Sequence, residues 1–396
     1  MKYYINEINK NGTIAVDDTL LIKGTPATAG SKMLESFTPL FSAGVVERLE
    51  KAGYEFSGKT NVGEFGLDLL GETSYFADAE ESGAIKNAAA TLVSEGKVKA
   101  AIGVDLNGAP RRAAAVSGVS FIKPTYGTVS RYGVIACACS GEQVGVTAAN
   151  AEAVKEILTV IAGHDSKDGT SLPDEKYEYN INEDVSSMRL CVINELYDKA
   201  SDEAKAKVDA YVKALEEKGA KVERISLDIV FAAQTAWQIL LSAETTNNLS
   251  RFDGVKYGYR TPEYKNIDEL YVKSRTEAFS FLTKATIIYG SDVLAKGKYM
   301  ACYDKSLRIR RIVTDKVKEI LASYDAILTP ACKEVSYKAY DNLESFDKVY
   351  EESVFTAIAS ITGLPAMVTK GVQLISDSFK ESVLLSIADK VEKEEA

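Results

Sequence analysis

Helix-period and strand-period runs of apolar residues alternate along almost the whole chain, which is the pattern of an α/β fold. Val45, Val46, Leu49 and Ala52 fall on one face of a helix that Ser42 can cap and Gly53 can stop, and residues 54–56 then read as a short strand. The clearest unit starts with a buried-strand pattern at 188–193. A helix follows from Ser201, with Asp202 and Glu203 in its first turn, where negative charge meets the positive end of the helix dipole. Val208, Tyr211, Val212 and Leu215 form its apolar stripe, Gly219 ends it, and 221–227 alternate as the next strand. A strand–helix–strand unit of this length predicts parallel pairing of its two strands.

Residues 312–324 predict a helix that runs into a strand at 326–330. The stretch 166–184 holds the breakers Gly169 and Pro173 among many charges, so it is expected to be a surface linker between two lobes of a single domain spanning 1–396. The charged end, 390–396, is expected to fray. No internal repeat or low-complexity tract interrupts the alternation.

Composition narrows the chemistry. The 396 residues are 46% hydrophobic and 26% charged, ordinary values for a folded chain, but there is one histidine, His164, and there are 8 prolines where about 20 would be average. One imidazole excludes a three-histidine zinc site, an H-E-x-x-H helix and any paired-histidine relay. A Ser/His/Asp or Cys/His arrangement needs His164 as its base, and the AGHD setting at 162–165 reads as a solvated turn. The net charge of −10 disfavours direct nucleic-acid binding, and no run of 18 apolar residues suggests a membrane span. The five cysteines are odd in number and lack C-x-x-C spacing, pointing to free thiols in the cytoplasm. Cys137 and Cys139 are placed on one face of a strand as buried structural thiols, with recruitment as a nucleophile the alternative. Ser117, Ser120 and Ser130 have no base beside them in the sequence. The 103–108 loop lacks a phosphate-loop signature, and Arg111-Arg112 reads as a solvated turn.

Six collinear segments carry a resemblance: TPATAGSK (25–32), GKTNVGEF (58–65), KPTYGTVSRYG (123–133), IAGHD (161–165), RFDGVKYGYR (251–260) and TGLPA (362–366). Together they resemble the amidase-signature family, and within it the A subunits of glutamyl-tRNA(Gln)/aspartyl-tRNA(Asn) amidotransferases. The resemblance implies one large mixed sheet wrapped by helices. It also implies amide cleavage by a Ser, cis-Ser, Lys triad in which a neutral lysine takes a proton through the bridging serine, with backbone N–H groups holding the oxyanion. It implies no cofactor or metal, and partnership with B- and C-type subunits.

Carried over residue by residue, the triad is missing. The family's Ile-Ala-Ile-Lys-Asp stretch matches IAVDD (14–18), which puts Asp17 at the lysine. A carboxylate of ordinary pKa near 4 is a far weaker proton acceptor than an amine, and Asp18 cannot pair with Asp17 if both lie in a strand. The nucleophile loop matches GVDLNGAPR (103–111), which puts Ala109 at the serine; the cis-serine falls on Ile85, where a trans bond is expected. The substrate-binding residues that remain are Arg310, matching the family arginine for the glutamine carboxylate, and Asn107 and Gly108 in the former oxyanion loop. The acidic partner for the glutamine amino group is replaced by Ser353, with Glu351 and Glu352 nearby. The chain begins close to the triad-lysine position, so the family's N-terminal helices are expected to be absent. The 366–371 stretch looks too short for the family's strand and loop.

Three functions follow. The first is a catalytically silent scaffold or regulatory protein, related to the A subunits, in an amidotransferase-type complex: a pseudoenzyme linked to translation. The second is an active glutamine amidase or amidotransferase component using other groups. The third is a diverged small-molecule binding protein.

Overall fold

The computed structural model describes residues 3–70, 73–76, 87–174, 177–335 and 342–393, with 342–345 by their backbone alone. Among the described residues, eleven strands form one mixed sheet: β1 (Tyr4–Glu7), β2 (Ile14–Asp17), β3 (Phe56–Thr60), β4 (Ala100–Asp105), β5 (Ser120–Lys123), β6 (Gln143–Ala148), β7 (Arg189–Ile193), β8 (Lys221–Ile225), β9 (Ala326–Pro330), β10 (Ala366–Thr369) and β11 (Val372–Ile375). Their spatial order is β1-β3-β2-β4-β6-β5-β10-β11-β9-β7-β8. Helices cover both faces. The first six are α1 (Gly44–Lys51), α2 (Ala88–Ser94), α3 (Ala109–Ser117), α4 (Ala151–Ile161), α5 (Asn194–Lys199) and α6 (Asp202–Glu217). The rest are α7 (Val230–Leu249), α8 (Ile267–Ala278), α9 (Phe281–Val293), α10 (Lys305–Leu321), α11 (Asn342–Thr362) and α12 (Glu381–Glu392).

Strand alternation divides the core between the two faces of the sheet. Ile14, Val16, Ile102, Val104, Val144 and Val146 point to the side covered by α1, α4, α6 and α12. Ala15 and Ala101 point the other way, toward α2, α3, α7 and α11, and on that face the intervening positions are small or polar. Asp17 therefore belongs to the face that carries α3. The helix α7 is apolar on most sides because α9, α10 and α11 enclose it, and its Trp237 is fully buried.

The strand–helix–strand unit forms as the pattern predicts: β7 and β8 run parallel across α6, in register from Arg189↔Lys221 to Ile193↔Ile225, and Ser201 caps α6 through Ala204 N. Several local expectations are corrected. Ser42 does not cap α1, whose N-cap is Ala43; its hydroxyl accepts from Lys23 N at 3.0 Å instead. The strand expected at 54–56 starts at Phe56 and runs to Thr60, and the helix expected at 312–324 begins seven residues earlier, at Lys305. Cys137 and Cys139 lie in the loop between β5 and β6, not on a strand. The 366–371 stretch does hold a strand, β10, because its loop is reduced to Lys370-Gly371; both have positive φ, 47° and 84°, as a two-residue hairpin turn requires. The helix α12 carries Lys390–Glu392, and 394–396 lie outside the described residues. Along 166–184, Tyr179 is buried and the backbone N–H groups of Asn180 and Glu183 donate to Ser382 and Ser386 of α12.

The largest departure concerns Arg111-Arg112, which is buried rather than solvated. Arg111 Nε and Nη2 donate to the two oxygens of Asp105 at 2.7 and 3.0 Å, Nη1 donates to Thr356 O and Gln373 Oε1 at 2.9 and 2.8 Å, and Nη2 donates again to Ser360 Oγ at 2.8 Å. All five N–H groups of the guanidinium are used. Arg112 faces Glu352 at 3.5 Å. Removing one partner of such a pair leaves a buried charge uncompensated, at a cost of about 3–5 kcal/mol. Arg111→Met is expected to lose that much in urea unfolding, and Arg111→Met with Asp105→Leu to recover most of it; equal stability of the two variants would refute the account.

Candidate functional site

Two of the three positions that the resemblance matches to the triad meet on the α3 face. Asp17 ends β2 and Ala109 opens α3, and both line one cavity of about 30 Å³ together with Asp68, Gly63 and Asn87. That volume holds a water molecule or two and no substrate. The third position, Ile85, lies outside the described residues.

The carboxylate of Asp17 is turned to its own chain. Its Oδ1 accepts from the backbone N and hydroxyl of Thr19, both at 2.7 Å, an Asx-type turn that ends the strand, while Oδ2 is 3.4 Å from Val104 N. Burial raises its pKa above 3.8, opposed by the Thr19 hydrogen bonds and by the charge of Lys59. Asp18 is bound separately: it accepts from Thr28 N and Oγ1 at 2.8 and 2.5 Å and pairs with Lys59 at 3.3 Å. Asp68 accepts from Leu70 N, Thr73 N and Thr73 Oγ1.

Ala109 presents a methyl group where the family resemblance places the attacking hydroxyl. The turn before it is kept. Gly108 has φ +100°, and a Cβ there would come within 2.4 Å of the Thr356 side chain, so only glycine fits between α3 and α11. Asn107 Oδ1 accepts from Trp237 Nε1 at 3.0 Å and Gln238 Nε2 at 3.2 Å, and its backbone carbonyl accepts from Thr356 Oγ1.

Arg310 is not with them. Its Nη1 and Nη2 donate to Ser140 Oγ and O, both at 3.1 Å, and Ser140 in turn donates its N–H and hydroxyl to Glu244. It does not line the small cavity. Ser353 faces α7, donating to Tyr350 O and accepting from Gln234; Glu351 pairs with Lys348, and Glu352 accepts from Lys333 N. The structure therefore places Asn107, Gly108 and Ala109 on one turn, with Asp17 and Ala109 lining one cavity, and leaves Arg310 apart.

Two lysines that sequence reasoning passed over are buried in the sheet, Lys59 on β3 and Lys123 on the central strand β5, but neither lines the cavity. Lys59 donates to the carbonyls of Asp18 and Leu20, and burial lowers its pKa against the pull of Asp18. Lys123 donates to Leu364 O at 2.6 Å, and burial, with Arg111 close by, lowers it to about 7. Their only sequence signal was a charge inside a strand pattern. Cys137 is buried, 3.4 Å from Thr245 Oγ1, and burial pushes its thiol well above the ordinary range, so it is not a thiolate at neutral pH. His164 is exposed, as its turn setting predicts, with Nδ1 2.9 Å from Leu172 O. Among the described residues no three His, Cys, Asp or Glu side chains gather as a metal site requires, and no helix is long and apolar enough to cross a membrane.

A family model described as Amidase matches residues 13–385. The chain is 34% identical over 394 residues to the A subunit of the glutamyl-tRNA(Gln) amidotransferase of Lacticaseibacillus casei, an alignment that covers 95% of this chain and 81% of the relative. It is 35% identical to the A subunit of the same enzyme from a Sulfurihydrogenibium species, with 95% and 82% covered. The crystal structure of the corresponding A subunit from Thermotoga maritima superposes with a TM-score of 0.81 at 29% identity, covering 99% of this chain and 87% of that one.

The raised pKa of Asp17 has a measurable sign. The folded chain keeps the proton over a range where the unfolded chain has lost it, so this group's contribution to stability is present below the ordinary value and is lost as pH rises through the folded one. The urea midpoint of Asp17→Asn, relative to the parent, is expected to rise as pH increases from about 4. A difference that stays flat with pH would show that Asp17 is not held protonated by burial.

Proposed function

The chain belongs to the amidase family, and from that premise we propose that it is a catalytically silent relative of the amidotransferase A subunits, with a scaffold or regulatory role. The observation that carries this reading is the methyl group of Ala109 at the position matched to the nucleophile, beside a cavity with room only for water. Amide cleavage by this family's route needs a hydroxyl to form the acyl-enzyme and an amine to take its proton. Among the described residues neither group faces the cavity, and Lys59 and Lys123 are held by main-chain carbonyls elsewhere. In a well-characterised triad hydrolase, loss of the catalytic unit costs on the order of a millionfold in turnover. Glutamine recognition is weakened as well, because Arg310 is engaged with Ser140 and Ser353 stands in place of an acid.

On this reading the whole chain, 1–396, works as one cytoplasmic domain with 166–184 as its surface linker. B- and C-type subunits are its partners. With a net charge of −10, contact with tRNA falls to the B-type partner.

Co-expression with B- and C-type subunits tests the proposal. The expected result is a complex that releases no ammonia from glutamine above background, unchanged by Cys137→Ala or Cys139→Ala. Glutamine-dependent ammonia release that survives purification would overturn the silent reading, and its loss on either cysteine substitution would identify a replacement nucleophile. Failure to bind either partner would remove the scaffold role.

A further inference from the structure

The sheet has two edges, and they are finished differently. At one end β1 pairs with β3 through a register shift between Tyr4 and Asn6, an irregularity of the kind that spoils an edge for further pairing. At the other end β8 pairs with β7 without interruption from Lys221 to Ile225. The N–H of Lys221 donates to Met188 O, so the odd-numbered residues of β8 turn their main-chain groups toward β7, and Val222 and Arg224 turn theirs outward. No described strand lies beyond them. This edge is remote from the candidate site, because β2, which carries Asp17, is third from the opposite end.

Charges on an edge strand ordinarily keep other strands away. Those of β8 alternate in sign along one face. Lys221 is exposed and makes no ion pair among the described residues, and Glu223 accepts from Tyr324 Oη at 2.7 Å and from Arg189 Nη2 at 3.3 Å with its side chain still 51% exposed. Arg224 is on the other face and folds back onto its own chain, 3.0 Å from Asp209 Oδ1 and with its Cζ 3.9 Å from the ring centre of Tyr197. A second copy of the chain can join this edge antiparallel, across a two-fold axis normal to the sheet, with one residue on the axis opposite itself. With Lys221, Glu223 or Arg224 on the axis, like charges stand directly opposed, which is destabilising. With Val222 there, Lys221 of each copy stands opposite Glu223 of the other. The same register puts the outward N–H and C=O of Val222 where an antiparallel ladder has its closely spaced pair of hydrogen bonds, and brings the outward N–H of Arg224 to the C=O of Ala220.

We propose that two copies of the chain associate through β8, antiparallel about Val222, and join their sheets into one. Main-chain hydrogen bonds hold the two edges, and the reciprocal Lys221–Glu223 pairs select the register. Exposed ion pairs add little affinity, but like charges opposed in every other register that uses the middle of the strand leave this one favoured. The contact is short, which places it in the weak class of interfaces. It is independent of whether the chain cleaves amides, since the edge shares no residue with the candidate site.

Sedimentation equilibrium of the full chain tests this. A reversible monomer–dimer equilibrium is expected, with a Kd on the order of 10 μM. Lys221→Glu and Glu223→Lys each set two pairs of like charges opposite one another and should each weaken the dimer at least about fivefold. Lys221→Glu combined with Glu223→Lys exchanges the signs and restores the opposition, so the Kd should return to within about threefold of the parent value. Val222→Pro removes an N–H that points away from β7 and should abolish the dimer in a chain shown by urea unfolding to be folded. The proposal is overturned by a chain that stays monomeric well above the expected Kd, by single charge reversals that leave the dimer unchanged, by a double reversal no tighter than either single one, or by a folded Val222→Pro variant that still dimerises.

Discussion

The buried guanidinium of Arg111 ties together the elements on which the site depends. It reaches Asp105 at the end of β4, Thr356 and Ser360 on α11, and Gln373 on β11, while belonging itself to the first turn of α3. Gln373 passes the connection on to Thr329 of β9 and the carbonyl of Phe355. A charge with every donor engaged and no exposure has one low-energy position, because moving any partner strands a hydrogen bond in a low-dielectric interior. The start of α3 is therefore held against α11 whatever side chain residue 109 carries. This accounts for a closely fixed 107–109 turn, with Gly108 in the left-handed region against Thr356, at the position that the resemblance matches to the nucleophile.

The same economy of partners holds at the polar positions near the turn and at Arg310 away from it. Asp17 is satisfied by Thr19, Asp68 by Thr73 and Leu70, and Arg310 by Ser140. These groups are closed on their neighbours, in keeping with the cost of leaving buried polar atoms unmet. Asn107 is the exception, since its acceptor is full and its donor is not.

The sequence was most legible where local and global preferences agree. The β7–α6–β8 unit follows from periodicity and caps alone, and the family follows from six short segments in order. Legibility failed wherever a distant partner decides. Arg111-Arg112 looks like a surface turn until Asp105, Ser360 and Gln373 are brought to it, the last from 262 residues away. Ser42 looks like a helix cap, but the N–H of Lys23 takes its hydroxyl. Cys137 and Cys139 alternate like strand residues, yet Glu142 accepts from the N–H groups of Cys137 and Ala138 and folds the segment into a loop. Arg310 is matched by the resemblance to a substrate-binding arginine, but the turn at Ser140 receives its guanidinium. No pattern in the chain announced the Asn107–Trp237 bond, which joins residues 130 apart.

The two-residue hairpin at Lys370-Gly371 decides when the sheet can become one piece. On one side β10 pairs with β5, which belongs to the run of strands drawn from the first 148 residues; on the other β11 pairs with β9, which belongs to the run beginning at Arg189. Among the described strands these two half-sheets are joined only through the hairpin, and its strands are synthesised after the other nine. Until it arrives, each half presents an open edge, at β5 and at β9, of the kind that pairs with any strand available. A short loop then has a kinetic value: with its two strands adjacent in sequence, the closing element forms locally and fast, and shortens the time for which both edges stand open.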